Sequence, residues 1–173
     1  MKIISYLLLA SLLFGTSSDD ETASTMTKIG QNAPDFTIQT LDGGKFNLSE
    51  LRGRVVLLNF FATWCSPCLT ELPHLELEIW RKFKNDNFIL LAIGRGHTKK
   101  ELVRFISSVE FTFPLAPDLK WDIYGKFATK YIPRNVVIDQ HGKIIYQSVG
   151  YSKEEFEKMT KLIERTVKTT NFD

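Results

Sequence analysis

The sequence predicts an α/β fold built on a mixed central sheet, and three observations carry that reading. Val55-Val56-Leu57-Leu58-Asn59-Phe60-Phe61 is an almost continuous apolar run, the pattern of a strand buried on both faces by helices. A helical pattern follows it from about Pro67 to Lys84, with Leu69, Leu72, Leu75, Ile79, Trp80 and Phe83 at three- and four-residue steps. The order along the chain is then strand, helix, strand, helix, a hairpin and a last helix, which implies an antiparallel edge on a parallel sheet.

The remaining elements read in order. Phe36-Thr37-Ile38 and Lys45-Phe46-Asn47-Leu48 alternate around Asp42-Gly43-Gly44, a hairpin signal. Ser49 is placed to cap a short turn ending at Gly53. Pro67 suits a first helical turn, where its missing N–H costs nothing, whereas Pro73 lies deeper and should kink the helix. Phe88 to Ile93 is a second buried strand. Thr98-Lys99-Lys100-Glu101 is a capping box opening a helix to about Val109, with Lys99, Lys100 and Arg104 on a solvated face. A further helix is expected over 119–129. Asn135 to Asp139 is a strand, His141-Gly142 a turn, and Lys143 to Val149 the hairpin partner. Ser152-Lys153-Glu154-Glu155 is a second capping box, and Phe156, Met159, Leu162, Ile163 and Val167 form the stripe of the final helix.

Composition sets the outer limits. The chain has 173 residues, with 43% hydrophobic and 24% charged, close to average globular usage. One domain is expected, and disorder, collagen-like repeats and a polytopic membrane protein are excluded. A net charge of +2 does not suggest a nucleic-acid partner. Residues 1–17 read as a secretory signal. Lys2 is the basic start, Ile3 to Phe14 is uncharged and too short to span a bilayer, and Gly15-Thr16-Ser17 supplies small residues for cleavage. Leu12-Leu13-Phe14-Gly15 looks like a lipoprotein box, but Thr16 stands where an acylated Cys would be. Residues 18–30 are polar and unpatterned, as a flexible linker would be, and residues 31–173 form the domain.

Two cysteines are present, Cys65 and Cys68, both in Trp64-Cys65-Ser66-Pro67-Cys68. One bridge closing so small a loop cannot staple a fold, so the pair calls for a chemical explanation. A Cys-x-x-Cys after a strand and opening a helix meets the partial positive charge and free N–H groups of the helix N-terminus. There a thiol loses its proton more easily, and the thiolate is the nucleophile. Cys65 is expected to attack a partner disulfide, and Cys68, three residues on, to resolve the mixed disulfide by closing a Cys65–Cys68 bond. Zinc would need four ligands from this pair with His74, His97, His141 or carboxylates, and no histidine pair has ligand spacing, so no metal is expected.

Phe60-Phe61-Ala62-Thr63-Trp64-Cys65-Ser66-Pro67-Cys68 with Glu71-Leu72-Pro73 resembles the thioredoxin-like thiol-disulfide oxidoreductases of the TlpA/ResA type, relatives of the AhpC/TSA proteins. Ala33-Pro34-Asp35-Phe36 with Leu41-Asp42-Gly43 matches the N-terminal hairpin of that group, and Tyr131-Ile132-Pro133 before Val136-Val137-Ile138-Asp139 its cis-proline strand. The resemblance covers about residues 31–167. It implies a thioredoxin-like fold, an N-terminal β-hairpin and a central insertion around residues 95–117. It also implies that Pro133 is cis and packs on the cysteines, and that Ile132 offers backbone groups to an extended peptide. Trp64 and Pro67 then become partner contacts beside the sulfur, and Glu71 the acidic residue that raises thiol pKa values. The alternative for Glu71 is a solvated surface glutamate. Asn59 departs from the buried Asp of many thioredoxins, and Glu71 is the candidate to replace it.

The resemblance further implies an exported, periplasmic or extracytoplasmic reductant, free or tethered to the membrane, needing no cofactor and acting as a monomer. Its substrates would be protein disulfides, apocytochrome c among them, and its electrons would come from a membrane thiol transporter. Three rivals remain open: a disulfide oxidase or isomerase; a peroxiredoxin, for which Arg134 is instead expected to be exposed or to contact a partner; and a copper chaperone, for which His97 is the one candidate distal ligand.

Overall fold

The computed structural model describes residues 17–170 of the chain, so the expected signal segment lies, except for Ser17, outside the described residues. A helix α1 (Ser17–Ala23) precedes a hairpin of β1 (Thr37–Gln39) and β2 (Lys45–Asn47), paired Ile38 to Phe46. A short 3-10 turn (Leu48–Leu51) leads into β3 (Val55–Phe61), and then α2 (Ser66–His74) runs through a π segment (Leu75–Trp80) into α3 (Arg81–Phe83). After these come β4 (Phe88–Arg95), α4 (Lys99–Ile106), β5 (Leu115–Asp118), α5 (Tyr124–Phe127), β6 (Arg134–Ile138), β7 (Ile144–Val149) and α6 (Lys153–Thr170).

The main sheet has the order β5-β4-β3-β6-β7. β3 pairs parallel with β4, as β4 does with β5, while β6 is antiparallel to both β3 and β7. This is the mixed sheet with an antiparallel edge that the alternation of elements implies, and α4 with β5 forms the expected central insertion. Every residue of β3 is buried, and its side chains alternate between two cores. Leu57 and Phe61 join Leu72, Leu75, Ile79, Leu90, Leu102, Phe156, Met159 and Ile163 on one side. Val56, Leu58 and Phe60 join Phe36, Ile38, Leu91, Ile93, Tyr124, Phe127 and Val136 on the other. The period of two along a strand thus divides one apolar run between two layers of helices.

Four local expectations differ from the structure. The turn after β2 is capped by Asn47, whose side chain accepts from the Ser49 amide at 3.2 Å, rather than by Ser49 itself. Pro73 has no amide to donate to the preceding turn, and the disturbance expected there as a kink takes the form of a π segment that begins at Leu75. The stretch 119–129 is helical only from Tyr124 to Phe127, because the Asp118 carboxylate accepts from the Ile123 and Tyr124 amides and Trp121 has a left-handed backbone at φ 62°.

The fourth concerns the polar linker, which is ordered where described. Ser24 and Thr27 are buried, the Met26 amide donates to the Phe127 carbonyl at 2.9 Å, and Thr25 bridges to Ala128. The Arg134 guanidinium ties this segment down, donating to Ser24 Oγ at 2.6 Å and Thr25 Oγ1 at 2.9 Å. Arg134 is therefore buried, not exposed or free for a partner. Short polar side chains look like a tether in isolation, but here they satisfy a guanidinium that lies 110 residues further along the chain.

Candidate active site

The C-terminal end of β3 delivers Ala62, Thr63 and Trp64 to the site, and the amide of Thr63 donates to Nε2 of His97 at 3.0 Å. Cys65 then caps α2 from an extended backbone at φ −90°, ψ 105°. Its sulfur accepts from the Cys68 amide at 3.3 Å, one of the helix's unpaired first-turn donors. Amide dipoles converging on that atom favour negative charge there, which is the condition for an acidified thiol. Pro67 occupies the first turn, where no donor is lost.

The two sulfurs are joined as a disulfide, with Cα atoms 5.3 Å apart. They are not equivalent. Cys68 is wholly buried, whereas Cys65 lines the floor of an open groove of about 450 Å³ together with Trp64, Ser66, Pro67, Arg95, Tyr131 and Ile132. The opposite wall is the loop before β6. Its Ile132–Pro133 peptide is cis, and the Ile132 carbonyl oxygen lies 3.6 Å from Cys65 Sγ. Tyr124 Oη donates to the Tyr131 carbonyl at 2.8 Å and Arg134 Nε to the Lys130 carbonyl at 2.9 Å, holding that loop from beneath. Trp64 stands at the rim, 67% exposed.

Glu71 lies one turn beyond Cys68 on α2 and is buried, so it is not a solvated surface residue. Asn59 Nδ2 donates to one carboxylate oxygen at 2.9 Å and Asn135 Nδ2 to the other at 2.6 Å. Burial pushes the carboxyl up to about 7, and the two amide donors only partly oppose it. The helix thus carries a buried titrating group, and Asn59 on β3 is one of its hydrogen-bond donors. Asn135 was not singled out in the sequence. Its signal is positional: it stands two residues after Pro133 and directly opposite Asn59 in the β3–β6 register. Arg95 and Tyr124 were likewise not singled out, and they reach the site from β4 and α5. His97 is buried against the Thr63 amide. Among the described residues, no group of three or more His, Cys, Asp or Glu side chains could hold a metal ion.

A strand-loop-helix that presents a disulfide at a helix N-terminus, faced by a cis-proline loop, defines a thiol-disulfide oxidoreductase of thioredoxin-like fold. Comparison with known proteins agrees: residues 29–147 match the AhpC/TSA family, and the chain belongs to it. The chain is 34% identical over 137 residues to the thiol-disulfide oxidoreductase ResA of Bacillus thuringiensis, covering 79% of each protein. Two solved structures share the fold. One, from Bacteroides thetaiotaomicron and designated a protein disulfide isomerase, superposes with a TM-score of 0.80 at 40% identity, over 84% of this chain and 93% of the other. The other, from Chlorobium tepidum and designated the thiol:disulfide interchange protein DsbE, gives 0.71 at 29% identity, over 81% and 98%.

Proposed function

We propose that the protein works outside the cytoplasm as a reductant of protein disulfides, apocytochrome c among its substrates, and is recharged by a membrane thiol donor. The observation that carries this reading is the asymmetry of the pair: one sulfur lines an open groove beside the Ile132 carbonyl, and the other lies behind it without exposure. In the reduced protein the Cys65 thiolate attacks a substrate disulfide. A Cys65–substrate bond forms, and the second substrate sulfur leaves as thiolate and takes a proton from solvent. Cys68 then attacks the Cys65 sulfur, the Cys65–Cys68 bond closes, and the first substrate sulfur leaves as thiolate. Two electrons have passed to the substrate. Glu71, titrating near 7 one turn from Cys68, is placed to take the proton that Cys68 must give up. The Ile132 backbone holds the substrate strand, with Trp64 and Pro67 as side walls. The apolar N-terminal segment and the ResA relatives support an extracytoplasmic site of action.

The test has two parts. Cys68→Ser should accumulate a mixed disulfide with substrate while Cys65→Ser accumulates none, and the reverse pattern would refute the assignment of roles. A reduction potential near or below about −270 mV marks a reductant, whereas a value near about −120 mV would make the protein an oxidase instead.

A further inference from the structure

Arg95, at the end of β4, enters the same groove as Cys65 without a carboxylate partner among the described residues. Its Cζ lies 4.4 Å from the centre of the Trp121 ring, 5.0 Å from Tyr124 and 5.8 Å from Trp64. Three aromatic faces stabilise the positive charge but offer no hydrogen-bond acceptor to its five N–H donors. Its Nε is buried and unbonded, and among the described residues no carboxylate lies within 4.0 Å of the guanidinium. Asp118 stands opposite Arg95 in the β4–β5 register, but its carboxylate accepts from the Ile123 and Tyr124 amides.

The aromatic setting is built at some conformational expense. Trp121 takes a left-handed backbone that a bulky residue rarely adopts, and its indole reaches over Gly96, where a Cβ would come within 2.9 Å of Nε1. A cation held rigid, dehydrated on its inner side and open to the groove is set up for a planar anion that it can grip with two parallel hydrogen bonds.

We infer that Arg95 selects substrate: it binds the carboxylate of an Asp or Glu within two residues of the substrate cysteine while that cysteine meets Cys65. The inference rests on the exchange reaction proposed above and names its substrate class, an acidic extended protein segment. The segment's backbone meets Ile132, and Trp64 and Tyr131, both exposed, supply the apolar walls.

The reduced protein is given short peptides whose single cysteine is disulfide-linked to 2-thiopyridine, with Glu, Gln or Lys at each of the two positions on either side. Release of the neutral thione reports the rate of Cys65 attack. The Glu-to-Gln rate ratio should reach about tenfold at the best position and shrink as salt rises. Arg95→Gln should bring that ratio close to one, and Arg95→Glu should transfer the preference to the Lys peptide. The readout is a ratio within each variant, so a general change in reactivity does not affect it, and if Arg95→Glu does not fold, Arg95→Gln alone decides. Equal rates with all peptides, or a ratio that survives Arg95→Gln, would overturn the role of Arg95 while leaving the exchange reaction standing. No release from any peptide would overturn the exchange reaction, and this inference with it.

Discussion

The amide of Thr63 is bonded to the imidazole of His97, Nε2 accepting at 3.0 Å, two residues before Cys65. The contact requires an unprotonated Nε2. Burial supplies that by holding the imidazole below its ordinary value of 6.5, against the opposing pull of Glu101. The unfolded chain takes up this proton near pH 6.5 and the folded chain only at lower pH. The stabilising contribution is therefore complete above about pH 6.5 and is lost as pH falls through the folded value. His97→Gln should cost about 1 kcal/mol at pH 7.5, slow disulfide exchange, and remove part of the acid-side loss. Urea unfolding from pH 5 to 8 checks this; an unchanged acid limb in the variant would count against it.

Glu71 has the opposite sign. Its carboxyl titrates near 7 in the folded protein against 4.5 for the free group, so the folded state holds the proton longer. Stability should fall as pH rises from about 4.5 to about 7, by an amount on the order of 3 kcal/mol. Glu71→Gln keeps the shape but not the charge. Its stability should be flat across that window, and the variant should overtake the wild type above pH 7. Denaturant titrations at pH 5 and pH 8 are sufficient to decide it.

Arg134 connects the N-terminal segment to the loop that carries the cis-proline, through Ser24, Thr25 and the carbonyls of Lys130 and Tyr131. Arg134→Met removes the donor to Ser24 Oγ, Thr25 Oγ1 and the Lys130 carbonyl, while the Tyr131 carbonyl keeps its bond from Tyr124 Oη, and should cost about 2–4 kcal/mol. Limited proteolysis should then cut between residues 19 and 29 faster than in the wild type. Equal protection of that segment would show that the guanidinium is not what holds it.

Gly96 has φ +75°, and a side chain there would press on the Trp121 indole. Gly96→Ala should lower stability by about 1–2 kcal/mol and displace the ring from Arg95. Thermal unfolding measures the first effect and indole fluorescence the second.

How much of this was legible in the sequence follows from the range of each signal. Val55 to Phe61 and Phe88 to Ile93 declare themselves as buried strands because one short window holds the whole pattern. Cys65 and Cys68 are likewise local, since strand, turn and helix N-terminus all lie within ten residues or so. The Glu71 cradle is not local: it needs the antiparallel register that sets Asn59 against Asn135, 76 residues apart. The linker failed for the same reason. Ser24 and Thr25 look like solvent-facing residues until Arg134 arrives from β6. The helix at 119–129 was lost to the Asp118 side chain, which caps a single turn and so competes with a longer one.

Cys68 has no surface of its own, so in the exchange proposed above every electron that enters or leaves the pair crosses at Cys65. Donor and acceptor therefore use one doorway and cannot occupy it together. Turnover must alternate between them in a ping-pong cycle, with parallel lines in double-reciprocal plots, and an excess of either partner in its spent form will block the other.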